Sequence, residues 1–196
     1  MRNIPLLLII GLLISSCGQP GFTTPTVGPT QIALSTGTSV CISAEPTQND
    51  IDRALSFADK VIDSSEWNRS YTVSENRVSV TWLNNPLGAV IYLEALIFPC
   101  GYQAKDLDTY FSNENWKTIF LNYQDYELLE QCNTQDDLRL YQFKAVSQRF
   151  DYKIRYWALS DTDTRVITAM VVFPVETESL LDDYSSRLFP TLRTCS

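Results

Sequence analysis

Residues Phe150 to Phe173 read FDYKIRYWALSDTDTRVITAMVVF, and the fold turns on how they are read. Phe150, Tyr152, Ile154, Tyr156 and Ala158 alternate with Asp151, Lys153, Arg155, Trp157 and Leu159. A period of two is that of a strand, and here it sets one apolar face against one mixed face. Asp161 to Thr164 is made of turn-forming residues. Arg165 to Phe173 follows and is apolar on both faces, the pattern of a strand inside a sheet. One apolar face against one mixed face is the pattern of an antiparallel sheet. We therefore expect an antiparallel sheet that is partly open on its mixed side.

The same reading extends upstream and downstream. Thr47 with Asp50 marks a helix start, and Ile51, Ala54, Leu55, Ala58 and Ile62 then fall on one helical face. Strands are expected at Ser70 to Ser74 and Arg77 to Leu83, joined by a tight turn at Glu75 and Asn76, with Val78, Val80 and Trp82 inward. After the Asn84, Asn85, Pro86, Gly88 loop, Ala89 to Phe98 is apolar on both faces except at Glu94, so it too is a central strand. Ala104 to Phe111 and Glu114 to Leu121 read as short helices, Tyr126 to Gln131 and Leu138 to Val146 as strands, and Glu176 to Phe189 as a last helix. Its early glutamates and late Arg187 suit the helix dipole.

Helix, three strands, helical segment, four strands, helix is the order of an α+β fold: a mostly antiparallel sheet of about six to seven strands covered by helices, in a single domain over residues 41–196. This order loosely resembles that of the PsbP-like family of photosystem accessory proteins, some bacterial members of which are lipoproteins. The likeness is one of element order. That family's aromatic and proline-rich opening strand is absent, so none of its partners or binding residues is carried over.

Ahead of the domain the chain changes character. Arg2 precedes an almost unbroken apolar run from Ile4 to Ile14, which ends at Ser15, Ser16 and Cys17. The run is too short to span a bilayer of roughly 30 Å and closes on small residues, as a signal peptide does. Its ending resembles the lipobox of bacterial lipoproteins. The resemblance implies that residues 1–16 are removed, that Cys17 becomes the acylated first residue, and that several acyl chains hold the protein on the extracytoplasmic face of a cell membrane. Gly18 to Val40 is rich in Thr, Pro, Gly and Ser and reads as a flexible tether spanning roughly 25 to 30 Å.

The formal charge of −8 leaves no basic cluster to meet a phosphate backbone, so nucleic acid is not an expected partner. The expected contacts are membrane lipid, through Cys17, and a protein or carbohydrate ligand. Cys41, Cys100, Cys132 and Cys195 form an even set in an exported chain, which predicts two disulfides. Of three connectivities we favour Cys41 with Cys195, tying the ends of the domain, and Cys100 with Cys132, bracing an internal segment. Zinc is not expected: no two of these cysteines are close in sequence and the chain has no histidine.

The lack of histidine also removes Ser-His-Asp and Cys-His catalysis. No glycine-rich phosphate loop and no cofactor motif is present. Asp136 with Asp137, Asp161 with Asp163 and Asp182 with Asp183 are the carboxylate clusters available to a hydrolase, and the second pair is a weak calcium signal. All of them sit where aspartate serves turns or helix surfaces. Glu94 is the polar residue out of place: either a desolvated functional acid or one side of an ion pair with Lys153 or Arg155 across the open face. With Trp157, these residues make the candidate binding surface Trp157, Arg155, Lys153 and Glu94. The expected function is a non-catalytic, membrane-anchored binding or accessory domain, with a carboxylate hydrolase as the alternative.

Overall fold

A computed structural model describes residues 45–62, 64–98, 107 and 111–195. The leader 1–16, Cys17, the tether, Cys41, Cys100 and most of the helix expected from Ala104 lie outside the described residues. The chain runs α1 (Gln48–Ala58), β1 (Asn68–Ser74), β2 (Arg77–Asn84), β3 (Ala89–Ile97), α2 (Asn113–Ile119), β4 (Asp125–Asn133), β5 (Leu138–Ser147), β6 (Phe150–Thr162), β7 (Arg165–Pro174), a 3₁₀ turn (Val175–Thr177) and α3 (Glu178–Leu188). The expected α+β class holds.

The seven strands form one antiparallel sheet in the order β1-β2-β3-β7-β6-β5-β4. Short turns fold β1 to β3 and β4 to β7 as two meanders, and the meanders meet where β3 pairs with β7. These two are the strands with apolar residues on both faces, which is the composition an internal position requires. Because β4 lies at the far edge, the link from β3 to β4 has to cross a face of the sheet.

That crossing decides which side chains are covered. Val78, Val80, Trp82, Ile91, Leu93, Trp157, Ile167, Ala169, Val171 and Phe173 line the first face under α1 and α3. Tyr141, Phe143, Ile154, Tyr156, Val166 and Val172 line the second, under Leu107, Phe111, Trp116 and Phe120 of the crossing segment. Trp116 sits among aromatic rings, with Tyr141, Phe143 and Tyr156 edge-on at 4.8 to 5.3 Å between centroids. The expected open side of β6 is therefore corrected. Its mixed face is the first face, and α3 together with the C-terminal segment closes it.

Local chemistry explains the ends of the elements. At the start of α1 the Thr47 backbone N–H donates to the Asp50 carboxylate at 2.8 Å and the Thr47 hydroxyl donates to it at 2.7 Å. The helix stops at Ala58, four residues before Ile62, which is exposed; Val61 takes the buried place instead. The β5–β6 turn holds Gln148 at φ 50° and Arg149 at φ 82°. Two residues with φ above zero match the twist of a hairpin, although neither is the Asn or Gly such a turn favours. Gly88 has φ 63° in the β2–β3 turn, where a side chain would be strained.

The expected cysteine pairing is also corrected. Cys132 of β4 bonds Cys195, with 5.6 Å between their Cα atoms, in place of Cys41 with Cys195 and Cys100 with Cys132. After α3 the chain turns back over the first face, where Leu192 packs in the core with Phe189 and accepts the Trp157 indole N–H on its carbonyl. Cys195 is thus carried to the β4 edge, where Cys132 packs against the same core.

Candidate functional site

The four side chains expected to form one surface lie on opposite sides of the sheet. Lys153, Arg155 and Trp157 share the first face with α3. Trp157 has no exposed surface, its ring packs 5.4 Å from Phe189, and its indole N–H donates to the Leu192 carbonyl at 2.8 Å. Arg155 is buried, with Nη1 donating to Ser185 Oγ at 3.0 Å and Nη2 paired to Asp182 at 2.6 Å. Lys153 pairs with Glu178. These residues fasten α3 to β6, and the mixed composition of the β6 face is accounted for by the polar side of a helix lying on it.

Glu94 is opposite Ser79 of β2 and Thr168 of β7. Its neighbour Leu93 points into the first-face core, so Glu94 projects from the second face. A pair with Lys153 or Arg155 would have to pass through the sheet, and that expectation is corrected. The Tyr92 hydroxyl, two residues earlier on the same strand and face, donates to Glu94 Oε2 at 2.5 Å, and Arg77 Nη1 donates to the same oxygen at 3.2 Å. Burial pushes the Glu94 carboxyl above its ordinary range, more strongly than Tyr92 and Arg77 pull it down. Burial and the adjacent Glu94 also raise the Tyr92 phenol, which therefore keeps its proton and acts as a donor. Thr168, fully buried beside Glu94, has a hydroxyl without a hydrogen-bond partner. The cluster holds one carboxyl with a raised pKa and a phenol proton, a desolvated polar patch and not a pair of facing acids.

The second buried cluster joins Asp161, which the sequence places in a turn, to Asp50 at the start of α1. Asp161 accepts from Arg53 Nε at 3.0 Å and Nη2 at 2.6 Å, and from Arg165 Nε at 2.7 Å and Nη2 at 2.6 Å. Arg165 Nη1 reaches on to Asp50 at 2.8 Å. Burial alone would raise the Asp161 carboxyl; the two guanidinium groups outweigh burial and hold it below the usual carboxylate range. Asp50 is lowered in the same way, against burial, by Thr47 and Arg165. The network ties α1 to the β6–β7 turn. Its arginines fill the place a cation would need, which removes Asp161 from the calcium reading. No group of three or more Cys, Asp or Glu side chains able to hold a metal ion occurs among the described residues. Nothing in the sequence pattern pairs Arg53 with Asp161, 108 residues apart.

The described residues form recesses in the surface. One of about 430 Å³ is bounded by Glu66, Asn68, Asn84 and Asn85, and a smaller one of about 140 Å³ by Gln131, Asn133, Arg139 and Tyr141. Neither contains Glu94 or Asp161.

Sheet and helices together define an α+β domain, and comparison with known proteins adds no family to that class. No protein-family model matches the chain, and no curated protein matches it. Among solved structures, human StAR-related lipid transfer protein 5 overlaps at a TM-score of 0.37 and 8% identity, over 74% of this chain and 95% of that one. Human STARD10 overlaps at a TM-score of 0.28 and 10% identity, over 78% of each chain. Overlap at this level carries no argument, and the assignment of class rests on the sheet and helices themselves.

Proposed function

We propose that the chain is exported, acylated at Cys17 and held on the extracytoplasmic face of a cell membrane, where its α+β domain serves as a non-catalytic binding or accessory module. The observation that carries this reading is the passage from the Ile4–Ile14 apolar run directly into Ser15, Ser16 and Cys17. The Cys132–Cys195 bond supports it, because structural disulfides persist in oxidising compartments. The buried ionic groups support the non-catalytic part. Asp50, Asp161, Arg155 and Arg165 each join one structural element to another, and Glu94 stands with a tyrosine and an arginine, not with a second acid. Among the described residues no helix is long and apolar enough to cross a membrane. Attachment is assigned to the acyl chains, with lipid as one partner and a protein or carbohydrate as the other. The test is to feed cells a fatty-acid analogue and compare wild-type chain with Cys17→Ala. Label on the first and none on the second is expected, and wild-type chain without label overturns the reading.

A further inference from the structure

The two edges of the sheet are built differently. β4 carries Asp125, Glu127 and Glu130, has a register shift between Leu128 and Glu130, and is bonded through Cys132 to the C-terminal segment. Acidic residues, a bulge and a covalent cover are the devices that keep an edge strand from pairing with another chain. β1 carries a single charge, Arg69, and has neither the bulge nor the covalent cover. All seven of its residues are exposed, its register to β2 is unbroken from Asn68 to Ser74, and it contains no proline, glycine, lysine or acid.

We propose that β1 is a self-association edge, pairing antiparallel with β1 of a second copy about a two-fold axis at Tyr71, so that two seven-stranded sheets become one. The backbone arithmetic selects this register. A two-residue turn at Glu75 and Asn76 makes Ser74 and Arg77 the pair that exchanges both hydrogen bonds. By alternation Asn68, Ser70, Thr72 and Ser74 direct their N–H and C=O groups to β2, and Arg69, Tyr71 and Val73 direct theirs outward. With Tyr71 on the axis, Tyr71 meets Tyr71, and Arg69 meets Val73 twice, so every outward N–H finds an outward C=O. A slip by one residue would oppose inward groups to outward ones and lose the whole set.

The side chains agree with that register. Tyr71 and Val73 are each 45% exposed on the first face, a large apolar exposure for an edge strand. Pairing stacks Tyr71 on its symmetry mate and lays Val73 along the stem of Arg69, and an aromatic pair at a directly opposed position is a favourable cross-strand contact. Arg69 is the one charge on β1, and the axis keeps the two copies of it apart. On the second face Ser70 lies against Thr72. The net charge of −8 works against association of two copies, and one edge pair buries less than a standard interface, so the dimer is a weak and salt-responsive one.

The experiment uses the full chain purified in detergent, with sedimentation velocity across a concentration series at moderate salt. A monomer–dimer equilibrium is expected. Tyr71→Lys, which sets two ammonium groups against each other at the axis, should weaken it about tenfold or more. Leu129→Lys on the other edge should leave it unchanged. Residue-resolved amide exchange reads the register. Between dilute and concentrated samples the N–H groups of Arg69, Tyr71 and Val73 should gain protection, and those of Ser70 and Thr72, already bonded to β2, should not. A wild-type chain that stays monomeric throughout, or a dimer that Tyr71→Lys leaves intact, overturns the proposal. So does protection gained along β4 in place of β1.

Discussion

Asp161→Asn tests the ionic network that fastens α1 to the β6–β7 turn. The substitution keeps the size of the side chain and removes the charge that both arginines share. Arg165, whose side chain is 9% exposed, is left with Asp50 as its acidic partner, while Arg53 is 41% exposed and can turn to water. Breaking a buried pair from one side costs about 3–5 kcal/mol, and an exposed pair about 0–1 kcal/mol. With Arg53 hydrated and Asp50 retained, about 2–3 kcal/mol is the expected loss. Urea unfolding followed by tryptophan fluorescence at neutral pH reads it. With a slope of roughly 1–3 kcal/mol per molar, the midpoint should fall by about 0.7–3 M at unchanged slope. The pH dependence gives a second check. The Asp161 carboxyl is held below its unfolded value of 3.8, so its contribution is present above that pH and is lost as pH falls through the folded value. The gap between wild type and variant should therefore narrow below pH 3.8. A loss under about 1 kcal/mol at neutral pH, or a gap that does not change with acid, would refute the network as a stabilising clamp.

Glu94 carries the opposite sign. Its carboxyl is raised above 4.5, so the stability it contributes is complete below that pH and is lost as pH rises through the folded value. Glu94→Gln should accordingly be as stable as wild type at neutral pH or more so; a variant clearly less stable there, or a carbon-detected titration placing Glu94 below 4.5, contradicts the assignment. Replacing Gln148 and Arg149 with Asn and Gly relieves two positive φ angles and should add about 0.5–1 kcal/mol, read as a higher thermal midpoint, with no change showing that the turn is unstrained. Mass mapping of unreduced protein should recover a peptide joining Cys132 to Cys195, and a free thiol at either position would contradict that bond.

Periodicity located the strands because alternation and two-sided apolar runs follow directly from which faces are buried, as Val78, Val80 and Trp82 illustrate. It could not say what lies over a face. Lys153, Arg155 and Trp157 look like an exposed surface when β6 is read alone, but α3 brings Glu178 to Lys153 and Asp182 and Ser185 to Arg155, and Phe189 and Leu192 beyond the helix cover Trp157. For Glu94 the failure was one of parity across strands. The pattern of β3 places it opposite Leu93, but the register that sets β3 against β7 and β6 is needed to see that Lys153 and Arg155 fall on the other side. Arg53, Asp161 and Arg165 come together only because the first turns of α1 lie beside the β6–β7 turn, and no local pattern encodes that contact. The cysteine partners depended in the same way on the return of the chain after Leu188.

The anchor is tested most directly by the mass of the N-terminal tryptic peptide of the mature protein isolated from membranes. The expected peptide begins at Cys17, ends at Arg53 and carries the added mass of a diacylglyceryl group, with or without a further acyl chain on its amine. A peptide that begins elsewhere, or an unmodified Cys17, would contradict it.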